Sequence, residues 1–199
     1  MITAYKFLTP QLTSYDNFQW EIGKEYTIDR PGNVMCSNDV FHCYNNPLLA
    51  EFMMPMHLFE KDYDLYKIEV PEFVNSDGLK FASKSQTIIE KVERPVITNE
   101  QRIEIAIRVA KLVYVNVEWN EWADKWLTGE DRSKESAYAT FTIIYPADYP
   151  AYSAYTAARA AYTDSRAHYA AHYAANESFA NKEEFNKKLI RIIESVVKN

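Results

Sequence analysis

The sequence predicts an α+β protein: a small antiparallel or mixed β-rich N-terminal body, a long Trp-bearing helix packed with it, and an Ala/Tyr-rich helical C-terminal hairpin. Three observations carry this expectation. Short period-2 runs recur through roughly the first 95 residues, the spacing of half-buried strands. Thr98 and Gln101 form a capping box ahead of apolar residues spaced by three and four. The stretch from Ala151 to Ala175 is almost wholly Ala, Tyr, Arg, His, Ser and Thr, and alanine is the strongest helix former. The expected organisation is a body over 1–149, with its β-rich part at 1–95 and the long helix at 98–129, followed by a helical tail over 150–199.

Taken in order, Tyr5–Leu8 is a strand that stops at Thr9-Pro10, and Phe18–Ile22 alternates apolar and polar residues. Gly23-Lys24 turns the chain into a strand at Glu25–Ile28, and Asp29–Asn33 is a turn ahead of a short strand at Val34–Cys36. Pro47–Met54 is a short helix with proline in its first turn, where the missing N–H costs nothing. Asp64–Val70 and Gln86–Val92 are strands, separated by a turn at Asn75–Gly78. In the long helix Ile103, Ala106, Ile107, Ala110, Val113 and Val117 form one face. Trp119, Trp122 and Trp126 continue that spacing, and Gly129 is its stop. Ser136–Tyr145 reads as a strand or a connector, and Glu183–Val197 as an amphipathic closing helix.

Composition narrows the function classes. The 199 residues carry a net charge of −6, which lacks the cationic footprint of a generic nucleic-acid binder. No apolar run approaches membrane-spanning length, and the N-terminus lacks a signal-peptide pattern. Two cysteines suit a reducing compartment, so a cytoplasmic protein is expected. The 15 tyrosines, 10 phenylalanines and 4 tryptophans supply both buried area and recognition surface.

Catalytic and cofactor fingerprints are missing: there is no GxGxxG, GK[ST] phosphate loop, GxSxG or HExxH. No cofactor is expected. Cys36, His42, Cys43 and His57 cluster without a zinc-knuckle spacing. His42 is the candidate catalytic residue, since an imidazole beside carboxylates or a thiol can move protons. His168 and His172, at i and i+4, are weak metal candidates without a further ligand. In the tail, Tyr155, Tyr162 and Tyr169 lie seven apart, as do Tyr152, Arg159, Arg166 and Tyr173. Packing is the simpler meaning of those stripes. The sharper one is a binding surface in which Trp119, Trp122, Trp126, Tyr155, Tyr162 and Tyr169 stack on a planar ligand or partner, with Arg159 and Arg166 pairing its charge.

The N-terminal half resembles an uncharacterised domain family common in bacteriophage and prophage proteins. The residues concerned are Ala4-Tyr5-Lys6-Phe7, the Glu21-Ile22-Gly23-Lys24 turn, Phe41-His42 with Asn46-Pro47-Leu48, and Ala82-Ser83-Lys84. The chain departs from the family pattern at Val40, where the pattern has Gly, and at Cys43, which follows His42 directly instead of one residue later. Relatives also carry an Ala-rich tail ending in an amphipathic helix. The family has no activity to transfer; the resemblance implies a phage accessory gene product in the host bacterial cytoplasm.

The leading expectation is therefore a non-enzymatic phage accessory protein, binding a host protein or sequestering a small nucleotide-like host molecule, in counter-defence or host takeover. One alternative is a nucleotide-directed enzyme with His42 in a cleft of the β-rich body. Another is a self-assembling structural protein, a homo-oligomer formed through the Tyr/Ala helix.

Overall fold

The computed structural model describes residues 1–54, 62–177 and 181–198. The chain is α+β and divides into two compact units, Met1–Val96 and Ile97–Asn199. The division expected at 149/150 thus falls inside the second unit.

The first unit contains β1 (Ile2–Leu8), β2 (Glu25–Thr27), β3 (Phe41–Cys43), α1 (Pro47–Phe52), β4 (Asp64–Val70), β5 (Asn75–Ser76), β6 (Phe81–Ser83) and β7 (Ser85–Val92). Its larger sheet has the order β1-β4-β7-β2 and the smaller β3-β6-β5, with all pairs antiparallel. Alternation along β1 places Ala4, Lys6 and Leu8 on one face. Ala4 and Leu8 pack there with Trp20, Cys43, Ile68, Val70 and Ile88. Phe7 takes the other face, against Ala50, Met54 and Leu65. The helix α1 begins where Asn46 Oδ1 accepts from the N–H groups of Leu48 and Leu49, at 2.9 and 3.1 Å.

Among the described residues of this unit, one carboxylate is buried. Glu51 is 6 % exposed, and Arg94 grips both its oxygens at 3.1 and 3.2 Å. Arg94 also donates to the carbonyl of Tyr63 at 3.2 Å and lies over the Phe7 ring. Arg94→Ala is expected to lower the stability of this unit by about 1–3 kcal/mol, because the carboxylate stays buried without its guanidinium. Urea denaturation compared with Arg94→Lys checks it, since lysine keeps the charge but not the two-pronged grip.

Phe18–Ile22 is not a strand. Trp20 is buried, but Phe18 and Ile22, which alternation puts on the same face, are exposed, and pairing is limited to single bridges, Thr13 with Gln19 and Ile22 with Ile88. Val34–Cys36 is likewise not a strand: Val34 is irregular and Met35 and Cys36 form a turn, with Cys36 in a left-handed backbone (φ 60°) that no strand accommodates.

The second unit is helical among the described residues: α2 (Asn99–Ala110), α3 (Val117–Thr128), α4 (Lys134–Ile143), α5 (Tyr149–Thr163), α6 (His168–Glu177) and α7 (Lys182–Val197). The segment expected as one long helix is therefore two. Lys111–Asn116 interrupts it, where Val113 and Val115 weaken helix formation and Asn116 caps a new start by accepting from the Trp119 N–H at 2.9 Å. The Ala/Tyr stretch is also two helices, broken where Asp164 and Arg166 adopt positive φ. Ser136–Tyr145 is neither strand nor connector but mostly α4. Ser133 caps it, and the hydroxyls of Thr140 and Thr142 bond back to carbonyls one turn earlier. The alanine faces of α5 and α6 are buried, and the Ser153 hydroxyl crosses to the Ala170 carbonyl at 2.8 Å. No helix among the described residues is long and apolar enough to cross a membrane.

Candidate functional site

A cleft of about 1090 Å³ opens in the first unit, a volume that suits a small molecule. Its aromatic lining comes from Phe7, Tyr15, Phe18, Phe41, Tyr44 and Tyr63, with Lys6, Arg30 and Lys80 as its cations and Asp16 and Asp29 as its carboxylates. Three cations against two carboxylates give it a positive bias in a chain of net charge −6. The rim is unusually apolar: Tyr15 is 82 % and Phe18 38 % exposed.

Lys6 reaches the cleft from the inward face of β1. Its Nζ donates to the His42 carbonyl at 2.7 Å and sits 5.0 Å from the Trp20 ring centre and 5.9 Å from that of Phe41. The π faces and the carbonyl favour the ammonium. Burial opposes them and prevails, lowering the Lys6 pKa to about 8 from an ordinary 10.5. Below it, Trp20 is clamped by Phe18, Tyr26 and Phe41 at ring separations of 4.8, 5.2 and 4.9 Å, and its indole N–H donates to the Ser14 hydroxyl at 2.9 Å.

His42 lines this cleft, but its Nε2 is occupied by accepting the Cys36 N–H at 2.9 Å. Burial, then the charges of Lys80 and Lys6, push its pKa down to about 4. Cys36 is held in its left-handed backbone by that bond, while Lys80 Nζ donates to its Sγ at 3.0 Å. Cys43 also lines the cleft but is held as a neutral thiol: it is buried, its Sγ lies 3.7 Å from the Phe81 carbonyl, and burial pushes it up to about 12. His42 and Cys43 are thus adjacent in sequence without forming a pair. His57 lies outside the described residues.

The wall over residues 30–39 is tied down by Lys84. Its Nζ donates to the carbonyls of Arg30 (2.6 Å), Asp39 (2.7 Å) and Gly32. A Cβ at Gly32 would meet the Asp39 carboxylate, which would have to move aside. The short motifs of the sequence gather around this cleft: Lys6, Phe41 and His42 line it, Lys84 holds its wall, and Asn46 starts the helix after β3.

A depressed imidazole makes stability depend on pH. The folded pKa of His42 lies below its ordinary 6.5, so the unfolded chain binds more protons between 6.5 and 4. The stabilising contribution of neutral His42 is present above pH 6.5 and is lost as pH falls through 4. His168 behaves likewise in the second unit, lowered to about 4 by burial and by His172, Arg102 and Arg166. His42→Gln is expected to flatten the acid-side loss of stability in the first unit alone, measured by hydrogen exchange of its core strands across that pH range.

The other residues expected to form a site are dispersed. Trp119, Trp122 and Trp126 are buried along α3, and the indole N–H groups of the first two have no hydrogen-bond partner among the described residues. Tyr155 packs on Phe141, and Tyr162 on Tyr138 and Phe141, so both face α4. Tyr169 lies beyond the helix break and stacks on His168 at 4.6 Å, so the three tyrosines do not share one stripe. Arg159 and Arg166 are exposed. Across the α5–α6 hairpin Tyr152 stacks on Tyr173 at 4.9 Å. His168 is buried and His172 exposed, and no group of three or more metal-ligating residues occurs among the described residues.

Sequence reasoning gave no site role to Lys6, Arg30, Lys80 or Lys84. Lys6 and Lys84 stood in the motifs that carry the family resemblance, and Lys6 also lies between Ala4 and Leu8 at an inward strand position. Arg30 and Lys80 act from loops with no periodic trace.

Residues 2–100 match a family described as Domain of unknown function (DUF7666), an uncharacterised domain family. No curated protein and no solved structure matches the chain.

Proposed function

We propose that the cleft of the first unit binds a small planar anion of the nucleotide type, and that the protein sequesters this molecule without transforming it. The observation that carries this reading is the combination of three features in one cleft: a half-buried lysine over aromatic rings, two further cations, and exposed aromatic rims. Rings hold a planar body, and the cations offset its charge. The resemblance to phage and prophage domains supports placing that sequestration in host takeover or counter-defence, in the bacterial cytoplasm.

The enzymatic alternative rests on His42. A general base works best with a pKa near the working pH. Here Nε2 already accepts a backbone N–H and protonates only near pH 4, which favours a positioning role for the Cys36 loop.

Isothermal titration with AMP and with adenosine tests the proposal. AMP is expected to bind at least about tenfold more tightly than adenosine, the equivalent of about 1.4 kcal/mol for the phosphate. Lys80→Ala and Arg30→Ala are each expected to remove about 5- to 10-fold of AMP affinity. Equal affinity for the two ligands, or no effect of either substitution, contradicts the reading.

A further inference from the structure

We propose that Lys6 is a carbonyl-capturing amine, forming an imine with small planar anionic aldehydes that enter the cleft. This rests on the reading of the cleft as a planar-anion site and adds covalent chemistry to it. Four observations converge. Lys6 lies within the cleft lining, and the neighbouring lining is aromatic. Its Nζ is 5.0 and 5.9 Å from two ring centres, which excludes water from much of the amine. Its hydrogen bond to the His42 carbonyl at 2.7 Å fixes the head group. Arg30 and Lys80 line the same cleft and can take an anionic substituent of the aldehyde.

Amine nucleophiles are activated when desolvated in an apolar pocket, because only the neutral form carries the reactive lone pair. With a pKa near 8, about a tenth of Lys6 is neutral at pH 7, against less than about a thousandth of an ordinary lysine. The neutral nitrogen adds to the carbonyl carbon, giving a carbinolamine. The carbonyl oxygen then leaves as water, taking both protons that the amine gives up, and a C=N bond remains. Amine and aldehyde yield imine and one water, with no oxidant or reductant. Once protonated, the imine nitrogen still carries an N–H to donate to the His42 carbonyl, so capture preserves that contact.

The groups facing the amine do not change charge in the useful range. Cys43 and His42 come from β3, with thiol and imidazole displaced to about 12 and about 4, while Trp20 and Phe41 are uncharged. Lys80 is the other cation near His42. The capture rate is therefore expected to rise with pH and level off near pH 8, whereas an ordinary lysine continues to gain well above it.

The test treats the full chain with pyridoxal 5′-phosphate, followed by borohydride reduction and peptide mapping. Pyridoxine 5′-phosphate, which has the same ring and phosphate but an alcohol for the aldehyde, serves as the non-covalent control. The expected result is binding of both compounds, with the reduced adduct on Lys6 forming on the order of tenfold faster at pH 7 than on any other lysine. Lys6→Met should abolish that adduct while leaving the alcohol bound. Should Lys6→Met fail to fold, competition by pyridoxine 5′-phosphate in the native chain replaces it, and must protect Lys6 selectively. Binding of the alcohol with adducts spread evenly over the lysines overturns the capture role and leaves the binding reading intact. Failure of both compounds to bind overturns the two together.

Discussion

Replacing Trp20 with alanine is expected to lower the stability of the first unit by about 3–5 kcal/mol, the range for deleting a large aromatic from a core. Trp20 is almost fully buried and packs with Ala4, Leu8, Cys43, Ile68, Val70 and Ile88, so its truncation strips contacts from the whole cluster. The same substitution removes the floor beneath Lys6 and one partner each of Phe18, Tyr26 and Phe41. Trp20→Phe separates the two contributions. It keeps an aromatic floor and loses the N–H bond to Ser14, for an expected cost of about 1–2 kcal/mol. Urea denaturation followed by hydrogen exchange of β1, β4 and β7 measures both variants. A loss for Trp20→Ala no larger than for Trp20→Phe would mean that the tryptophan is not the keystone of this core.

Lys84→Met is expected to cost about 2–4 kcal/mol and to weaken ligand binding in the cleft at least about tenfold. Methionine matches the stem of lysine but leaves three carbonyls, those of Arg30, Gly32 and Asp39, without their shared donor. Bonds from a charged donor each contribute about 1.5–3 kcal/mol, though three converging on one ammonium are not additive. The segment they hold carries Arg30, Cys36, Ser37 and Asn38 of the cleft lining, so its loosening acts on affinity as well as on stability. Faster amide exchange over residues 30–39, with β4 unchanged, is the specific signature. Uniformly faster exchange through the unit would assign Lys84 a general structural role instead.

Local chemistry was legible in the sequence wherever it sufficed to determine structure. The alternation of Asp64–Val70 is β4, residue for residue, and the Thr98/Gln101 capping box opens α2 with both of its reciprocal bonds formed. Alternation at Phe18–Ile22 holds for Trp20 alone: Phe18 and Ile22 are exposed and the segment pairs only through single bridges, because an apolar period of two does not by itself supply a partner strand. The break at Lys111–Asn116 was written in Asn116, whose capping role is masked by the apolar spacing on either side. The site was less legible for a different reason. Lys6 meets His42 across 36 residues, and Lys84 meets Gly32 across 52, so nothing within one helical turn or strand announces the cleft. The aromatic and basic residues of the tail stood out instead because their spacing is regular, and much of that regularity serves packing of α4, α5 and α6.

The central claim, that a planar anion is held in the cleft of the first unit, is tested most directly by hydrogen-exchange mass spectrometry of the full chain with and without saturating AMP. The account predicts slowed exchange in β1, in residues 28–44 and in residues 80–84, with α3, α5 and α6 unchanged. Protection confined to the helices that carry Trp119, Trp122, Tyr155 and Tyr169 would contradict it and move the binding surface to the second unit.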